Sequence, residues 1–148
     1  MRPAPLNYEA RTRSGIVSEL PAQPLTVKVD TDFIKQAILN VVLNGVQAMP
    51  DGGRLTVSAR REDDMVVTEI SDQGSGIPAD AQDKIFELYF TTKKEGTGIG
   101  LAQTYQILQW HYGSVDFESV EGEGTTFRLR LPLVQSRSNA LQETATRG

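Results

Sequence analysis

The stretch Asp72-Gln73-Gly74-Ser75-Gly76-Ile77-Pro78 constrains this chain most. It sets an acid, two glycines and a proline directly after an alternating apolar segment, so a strand has to end there in a tight, irregular turn. A second cluster, Gly96-Thr97-Gly98-Ile99-Gly100-Leu101, leads into a segment of helical period. An acid at a strand end, followed by glycine loops of which the later opens a helix, is one way for a backbone to wrap a nucleotide. The carboxylate accepts from an exocyclic amine, and the glycines let main-chain N–H groups come close to ring and phosphates.

The rest of the chain fits around those two loops. Residues 1–14 mix Pro, Arg and Ala without a period and read as an N-terminal remnant or linker. Gly15–Leu20 reads as a strand, and Leu25–Val29 as a half-buried strand or an extended lead-in. From Asp30 the period changes. Asp30 or Thr31 can cap a helix whose apolar face is Ile34, Ala37, Ile38, Val41, Val42, Gly45 and Ala48, stopped by Pro50-Asp51-Gly52-Gly53. Asn40 and Asn44 lie four apart on this helix, so both amides share one stripe. Among apolar neighbours they are expected to be buried or to face a ligand.

Leu55–Arg60 and Met65–Ser71 alternate and are joined by the charged Arg61-Glu62-Asp63-Asp64, which predicts an antiparallel hairpin ending at Asp72. Good helix formers after Pro78 predict a short helix over 79–87. The apolar Phe86–Phe90 then runs into Thr91-Thr92-Lys93-Lys94-Glu95, a pattern expected of a lid hinged at its apolar end. Gly98 or Gly100 opens a helix through Leu101, Tyr105, Ile107, Leu108 and Trp110, ended by Gly113. Strands at Val115–Ser119 and Thr126–Leu131 follow. Residues 135–148 read as a flexible tail, leaving 15–134 as the folded domain.

Composition excludes several classes. A net charge of −4 gives no bulk attraction to nucleic acid or an anionic membrane surface. The absence of cysteine excludes disulfides and thiolate metal sites, and fits a cytoplasmic setting. No apolar run reaches the roughly 18 residues of a membrane span. There is no Gly-Lys-Ser/Thr for a P-loop, and neither glycine cluster completes a dinucleotide fingerprint.

What remains is an ordered set: Asn-x-x-x-Asn on a helix, Asp-x-Gly-x-Gly after a strand, Phe86–Phe90 with Thr-Thr-Lys, then Gly-Thr-Gly-Ile-Gly-Leu. This set resembles the catalytic ATP-binding domain of sensor histidine kinases, within the GHKL ATPase/kinase superfamily, over about residues 15–133. Asn40–Gly45 resembles the N box, Asp72–Gly76 the G1 box, Phe86–Phe90 the F box and Gly96–Gly100 the G2 box. The Phe-Thr-Thr-Lys variant is similar to nitrogen-regulation sensor kinases.

The resemblance implies an α/β two-layer sandwich, a mixed and mainly antiparallel sheet packed on three helices. It implies that Asp72 accepts the adenine amine, with Gly76 and Thr125 lining the adenine pocket. It implies that Asn44 holds Mg²⁺ and that Asn40 supports phosphate or metal. Gly98 and Gly100, at a helix N-terminus, are expected to meet phosphates through the backbone. Further ATP contacts are expected at Gln47, Gly74, Ile77, Gly96, Thr97 and Leu101. Relatives often carry a phosphate-contacting Lys where Gln47 stands, so Lys93, beside Lys94, is the candidate catalytic cation; the alternative is a solvated loop charge.

By the same resemblance the activity is transfer of the γ-phosphoryl of Mg–ATP to a histidine on a dimerisation/phosphotransfer domain, with a response regulator downstream. The chain is then expected to be the catalytic portion of a longer kinase that can be membrane-anchored elsewhere, and monomeric by itself. Its one histidine, His111, reads as a structural corner rather than the acceptor. An ATP-switched binding module or anti-sigma-like serine kinase is the alternative. A hydrolytic ATPase of the gyrase or chaperone type needs a carboxylate four residues before Asn44, and Asn40 cannot take a proton.

Overall fold

Strand β1 (Ser14–Glu19) and strand β2 (Gly53–Glu62) run parallel, with Ile16 opposite Leu55, and helix α1 (Thr31–Gln47) crosses between them. The computed structural model describes residues 14–91 and 98–134. The proposed remnant up to residue 13, the tail from 135, and Lys93, Lys94, Gly96 and Thr97 lie outside the described residues.

α1 starts where its cap lies. The Asp30 carboxylate accepts from the N–H groups of Asp32 and Phe33 at 3.1 and 3.2 Å, two of the donors a helix start leaves unpaired. Ala37, Val41 and Gly45, at a spacing of four, form its buried stripe. After Gln47 the chain turns through Gly52 and Gly53 into β2.

β2 pairs antiparallel with β3 (Met65–Ser71) across a two-residue turn in which Asp63 takes φ 54°. β3 pairs with β5 (Gly124–Pro132), and β5 with β4 (Ser114–Val120), so the sheet order is β1-β2-β3-β5-β4. One parallel pair among antiparallel ones is the mixed sheet expected. The 25–29 segment takes the lead-in form: it makes a single bridge, Val27 to Leu133, rather than a strand.

Helix α2 (Gly100–Trp110) packs beside α1, where the buried Thr104 hydroxyl donates to the carbonyl of Ala37 at 3.0 Å. Both helices cover one face of the sheet. Ala37 and Val41 meet Ile107 and Leu108 over Leu55, Ile70, Phe127 and Leu129. Each such large side chain removed from water contributes about 1.5–3 kcal/mol. The opposite face is charged: Glu69 pairs with Arg60 and Arg128, and Arg128 also reaches Glu118 at 3.2 Å. These carboxylates, Glu118 foremost, hold the Arg128 guanidinium above its ordinary range.

One expectation needs correction. Residues 79–87 do not form a helix. They make successive turns closed by i+3 bonds, from Ala81 to Pro78, Lys84 to Ala81 and Glu87 to Lys84. Tertiary contacts override propensity here. Ala81 and Ile85 turn into the interior, and the Gln82 amide is drawn to the carbonyls of Ile77 and Ser119. The described residues therefore hold two α-helices, with the turns in place of a third.

α2 ends before Gly113 as expected, with Tyr112 taking the left-handed φ of 60°. Gly113 closes the helix by donating to the carbonyl of Leu108 at 2.8 Å, and a side chain there would collide with the carbonyl of Arg130.

A candidate nucleotide site between α1, α2 and the β3 end

A cavity of about 580 Å³ opens where the end of β3, the second half of α1 and the start of α2 converge. That volume lies within the range of pockets that enclose a small ligand. Asp72 is the one charged side chain among the described residues that line it, and it is only 6% exposed.

Asp72 continues β3 by one step, its N–H donating to the carbonyl of Thr125 at 2.8 Å. Its Oδ1 accepts from the N–H groups of Gly74 at 2.9 Å and Thr125 at 3.2 Å. Two main-chain donors thus orient the carboxylate. Gly45 lies beneath it: a Cβ on Gly45 would sit 3.5 Å from Asp72 Oδ2 and 2.6 Å from Leu55 Cδ1.

The loop after Asp72 is held against the β4–β5 turn. Gly122 donates to the carbonyl of Ser75 at 2.6 Å, and Ile77 donates to Ser119 Oγ at 2.8 Å. Gly76 takes φ 74°, and a Cβ there would run into the carbonyl of Val120, so both conformation and space require glycine.

At the other end Gly100 and Leu101 line the cavity at the first turn of α2, where no side chain among the described residues caps the helix. First-turn N–H groups with the positive end of the helix dipole suit an anion. Asn40 ties this turn to α1. Its Nδ2 donates to the carbonyl of Gly100 and to Gln103 Oε1, each at 3.0 Å, while its Oδ1 accepts from Gln36 at 2.8 Å. Asn44 lies one turn further along the same stripe and also lines the cavity.

The cavity therefore gathers Asn40, Asn44, Gln47, Asp72, Gly76, Ile77, Gly98, Gly100, Leu101 and Thr125, all expected from the sequence. Gly74 lies outside the lining and packs against α1, where a Cβ would lie 2.6 Å from that of Ala48. Sequence reasoning missed the wall residues Leu43, Ala48, Pro50, Ser75, Ile85, Phe90 and Thr91. The apolar ones carry no signal that separates a pocket wall from a core.

His111 stands at the far end of α2, roughly 15 Å along the helix from Gly100 at 1.5 Å per residue. Its Nδ1 bonds the carbonyl of Ile107 at 2.7 Å and its Nε2 accepts from the N–H of Asp30 at 3.0 Å. Both ring nitrogens are committed to joining the end of α2 to the start of α1.

Residues 29–135 match the family described as histidine kinase-, DNA gyrase B- and HSP90-like ATPase. Sensor histidine kinase ZraS of Escherichia coli is 42% identical over 113 residues, covering 76% of this chain and 24% of that protein. Sporulation kinase D of Bacillus subtilis is 41% identical over 117 residues, covering 79% and 23%. The chain thus spans about a quarter of the length of these relatives. Among solved structures, the catalytic domain of histidine kinase ThkA in a nucleotide-free form superposes with a TM-score of 0.74 at 29% identity, covering 84% of each chain. Mycobacterial sensor histidine kinase MprB gives 0.72 at 30% identity, covering 85% of this chain and 86% of that one. Sequence match and fold agree: the chain belongs to the histidine kinase-, DNA gyrase B- and HSP90-like ATPase family, as an ATP-binding catalytic domain of the sensor histidine kinase kind.

Proposed function

We propose that this chain binds Mg–ATP in the cavity described and passes the γ-phosphoryl to a histidine on a separate helical dimerisation domain, for onward transfer to a response regulator. The observation that carries the reading is the Asp72 carboxylate, oriented by Gly74 and Thr125 at one end of a cavity whose other end is the start of α2. The first suits an amine-bearing base and the second a chain of phosphates.

The donor set fits a cation that arrives with the nucleotide. Among the described residues no group of three or more His, Cys, Asp or Glu could hold a metal by itself. Asn44, in the cavity, would offer Mg²⁺ a carbonyl oxygen, and phosphate oxygens and water would complete its shell. Bound there, the ion would neutralise phosphate charge. Lys93 is proposed to add positive charge from outside the described residues.

Phosphoryl transfer is mostly positioning and charge neutralisation. The acceptor imidazole nitrogen forms the N–P bond while the bond from phosphorus to the β–γ bridging oxygen breaks and ADP departs. No residue of this chain is assigned as a base for that step. Hydrolysis would need one, and Asn40, where hydrolytic relatives place a carboxylate, is an amide bonded to Gly100 and Gln103. The domain is assigned to the cytoplasmic side of its parent kinase; no helix among the described residues is long and apolar enough to cross a membrane.

The test mixes the chain with ATP radiolabelled at the γ-phosphate and a separately purified acceptor-helix domain. Acid-labile, base-stable label on the acceptor is expected. Label released only as inorganic phosphate would replace the kinase reading with an ATPase.

A further inference from the structure

Ser119, next to last in β4, lies behind the cavity wall rather than on it. Its Oγ touches three groups. The N–H of Ile77 lies at 2.8 Å, Thr125 Oγ1 at 2.8 Å, and the carbonyl of Gly124 at 3.2 Å. Ile77 and Thr125 both line the cavity, so one hydroxyl stands behind two of its wall residues.

Proton counting decides how that hydroxyl is used. Ile77 N–H can only donate and the Gly124 carbonyl can only accept. If Ser119 gives its proton to Gly124, its second lone pair takes the proton of Thr125, and all three contacts become hydrogen bonds. If Ser119 instead gives its proton to Thr125, the Gly124 contact is lost and the Thr125 proton is left without a partner in the group. The first arrangement satisfies more groups in a part-buried place, where an unmade bond is costly. It leaves Thr125, a residue that lines the cavity, with only lone pairs on Oγ1 to offer a ligand.

We propose that Ser119 is a specificity-determining positioning residue: by holding the Thr125 proton it makes Thr125 an acceptor, which selects purines with an amine at C6 over those with a carbonyl there. The inference rests on the nucleotide reading above and names the group that sets its base preference. Asp72 alone does not supply that preference, because a carboxylate can accept from the N1–H of a 6-oxopurine as well as from a 6-amine. Thr125 stands beside it, its own N–H bonded to Asp72 Oδ1. A second acceptor there repels a 6-oxo group and welcomes an amine.

Calorimetric titration of wild-type chain and Ser119→Ala with ATP and with ITP tests this, since ITP carries a carbonyl at C6 and no amine at C2. Freed from Ser119, the Thr125 hydroxyl can turn and donate to the 6-oxo group. The ratio of the ITP to the ATP dissociation constant is expected to fall about tenfold, the scale of one hydrogen bond. Ser119→Thr, which keeps the hydroxyl, is expected to retain the wild-type ratio. Equal losses of both affinities in Ser119→Ala, with the ratio unchanged, would reduce Ser119 to a structural role and overturn the proposal. If Ser119→Ala shows no cooperative melt, Thr125→Val decides: a fallen ratio supports the proposal, and an unchanged one overturns it. Wild-type chain that bound neither nucleotide would overturn the site itself, and this inference with it. That outcome is distinct from a selective wild type whose variants keep their selectivity.

Discussion

The backbone N–H of Tyr89 donates to the carbonyl of Gly98 at 2.8 Å, and the two residues take φ of 68° and 72°. This contact closes the chain on itself between the F-box turn and the start of α2. It also brings Phe90 and Thr91 to the cavity beside Gly98. Phe86 anchors the turn from below, its ring 5.6 Å from that of Tyr105 and 5.8 Å from that of Phe117. The segment is thus seated by aromatic packing at one end and by a strained backbone contact at the other.

Gly98→Ala tests that seat. A Cβ at Gly98 would overlap the backbone of Tyr89 and Phe90, which cannot swing aside as a side chain could. Left-handed φ costs a non-glycine residue about 1–2 kcal/mol before that overlap is added. The variant is expected to melt several degrees lower and to bind ATP at least tenfold more weakly. Thermal denaturation and calorimetry matching wild type would show that the corner does not shape the site.

Asp72→Asn separates charge from shape. The Asn carbonyl can still accept from Gly74 and Thr125, so the loop keeps its two main-chain bonds. What is lost is the carboxylate, whose charge-assisted bonds contribute about 1.5–3 kcal/mol each. ATP affinity is expected to fall to the limit of detection while the melting temperature moves little. Unchanged affinity by calorimetry would remove Asp72 from the base site.

The parts legible from sequence were those where a rare residue type coincides with a break in period. Asp30 marks the α1 start, and Asp72 with its glycines marks the β3 end, because few other residues can hold those positions. The parallel pairing of β1 with β2 was not legible, since it joins segments separated by the whole of α1. The turns at 79–87 read as helix because their residues are helix formers. Only the partners of Gln82, in a loop and a distant strand, show why the segment stays in turns. Within the site, amides, acid and glycines stood out, whereas Leu43, Ile85 and Phe90 looked like any core. Ser119 was invisible until the register set it opposite Thr125.

His111→Ala is expected to cost stability and leave phosphotransfer untouched. The imidazole joins Asp30 to Ile107 by two hydrogen bonds at a partly exposed place, each contributing about 1 kcal/mol. The urea midpoint is expected to fall while the yield of label on a separate acceptor domain stays at the wild-type level. A variant as stable as wild type that failed to transfer phosphate would give His111 a chemical part in the reaction.

Asn44→Ala asks whether the amide acts on the metal or on the nucleotide. Asn40 and Asn44 share a stripe of α1, yet Asn40 holds Gly100 and Gln103, which ties it to the architecture of the α2 start. Asn44 lines the cavity one turn nearer the Gly45 contact with Asp72. Mg²⁺ takes oxygen ligands and keeps several waters, so one carbonyl from Asn44 would be a large share of what the chain could give it. Removing that carbonyl is expected to weaken ATP binding about tenfold or more in the presence of Mg²⁺ and far less with a chelator present. Titrations run in parallel with Mg²⁺ and with chelator read the difference directly. Equal losses under both conditions would mean that Asn44 touches the nucleotide or supports the helix, and that the cation is held by other groups.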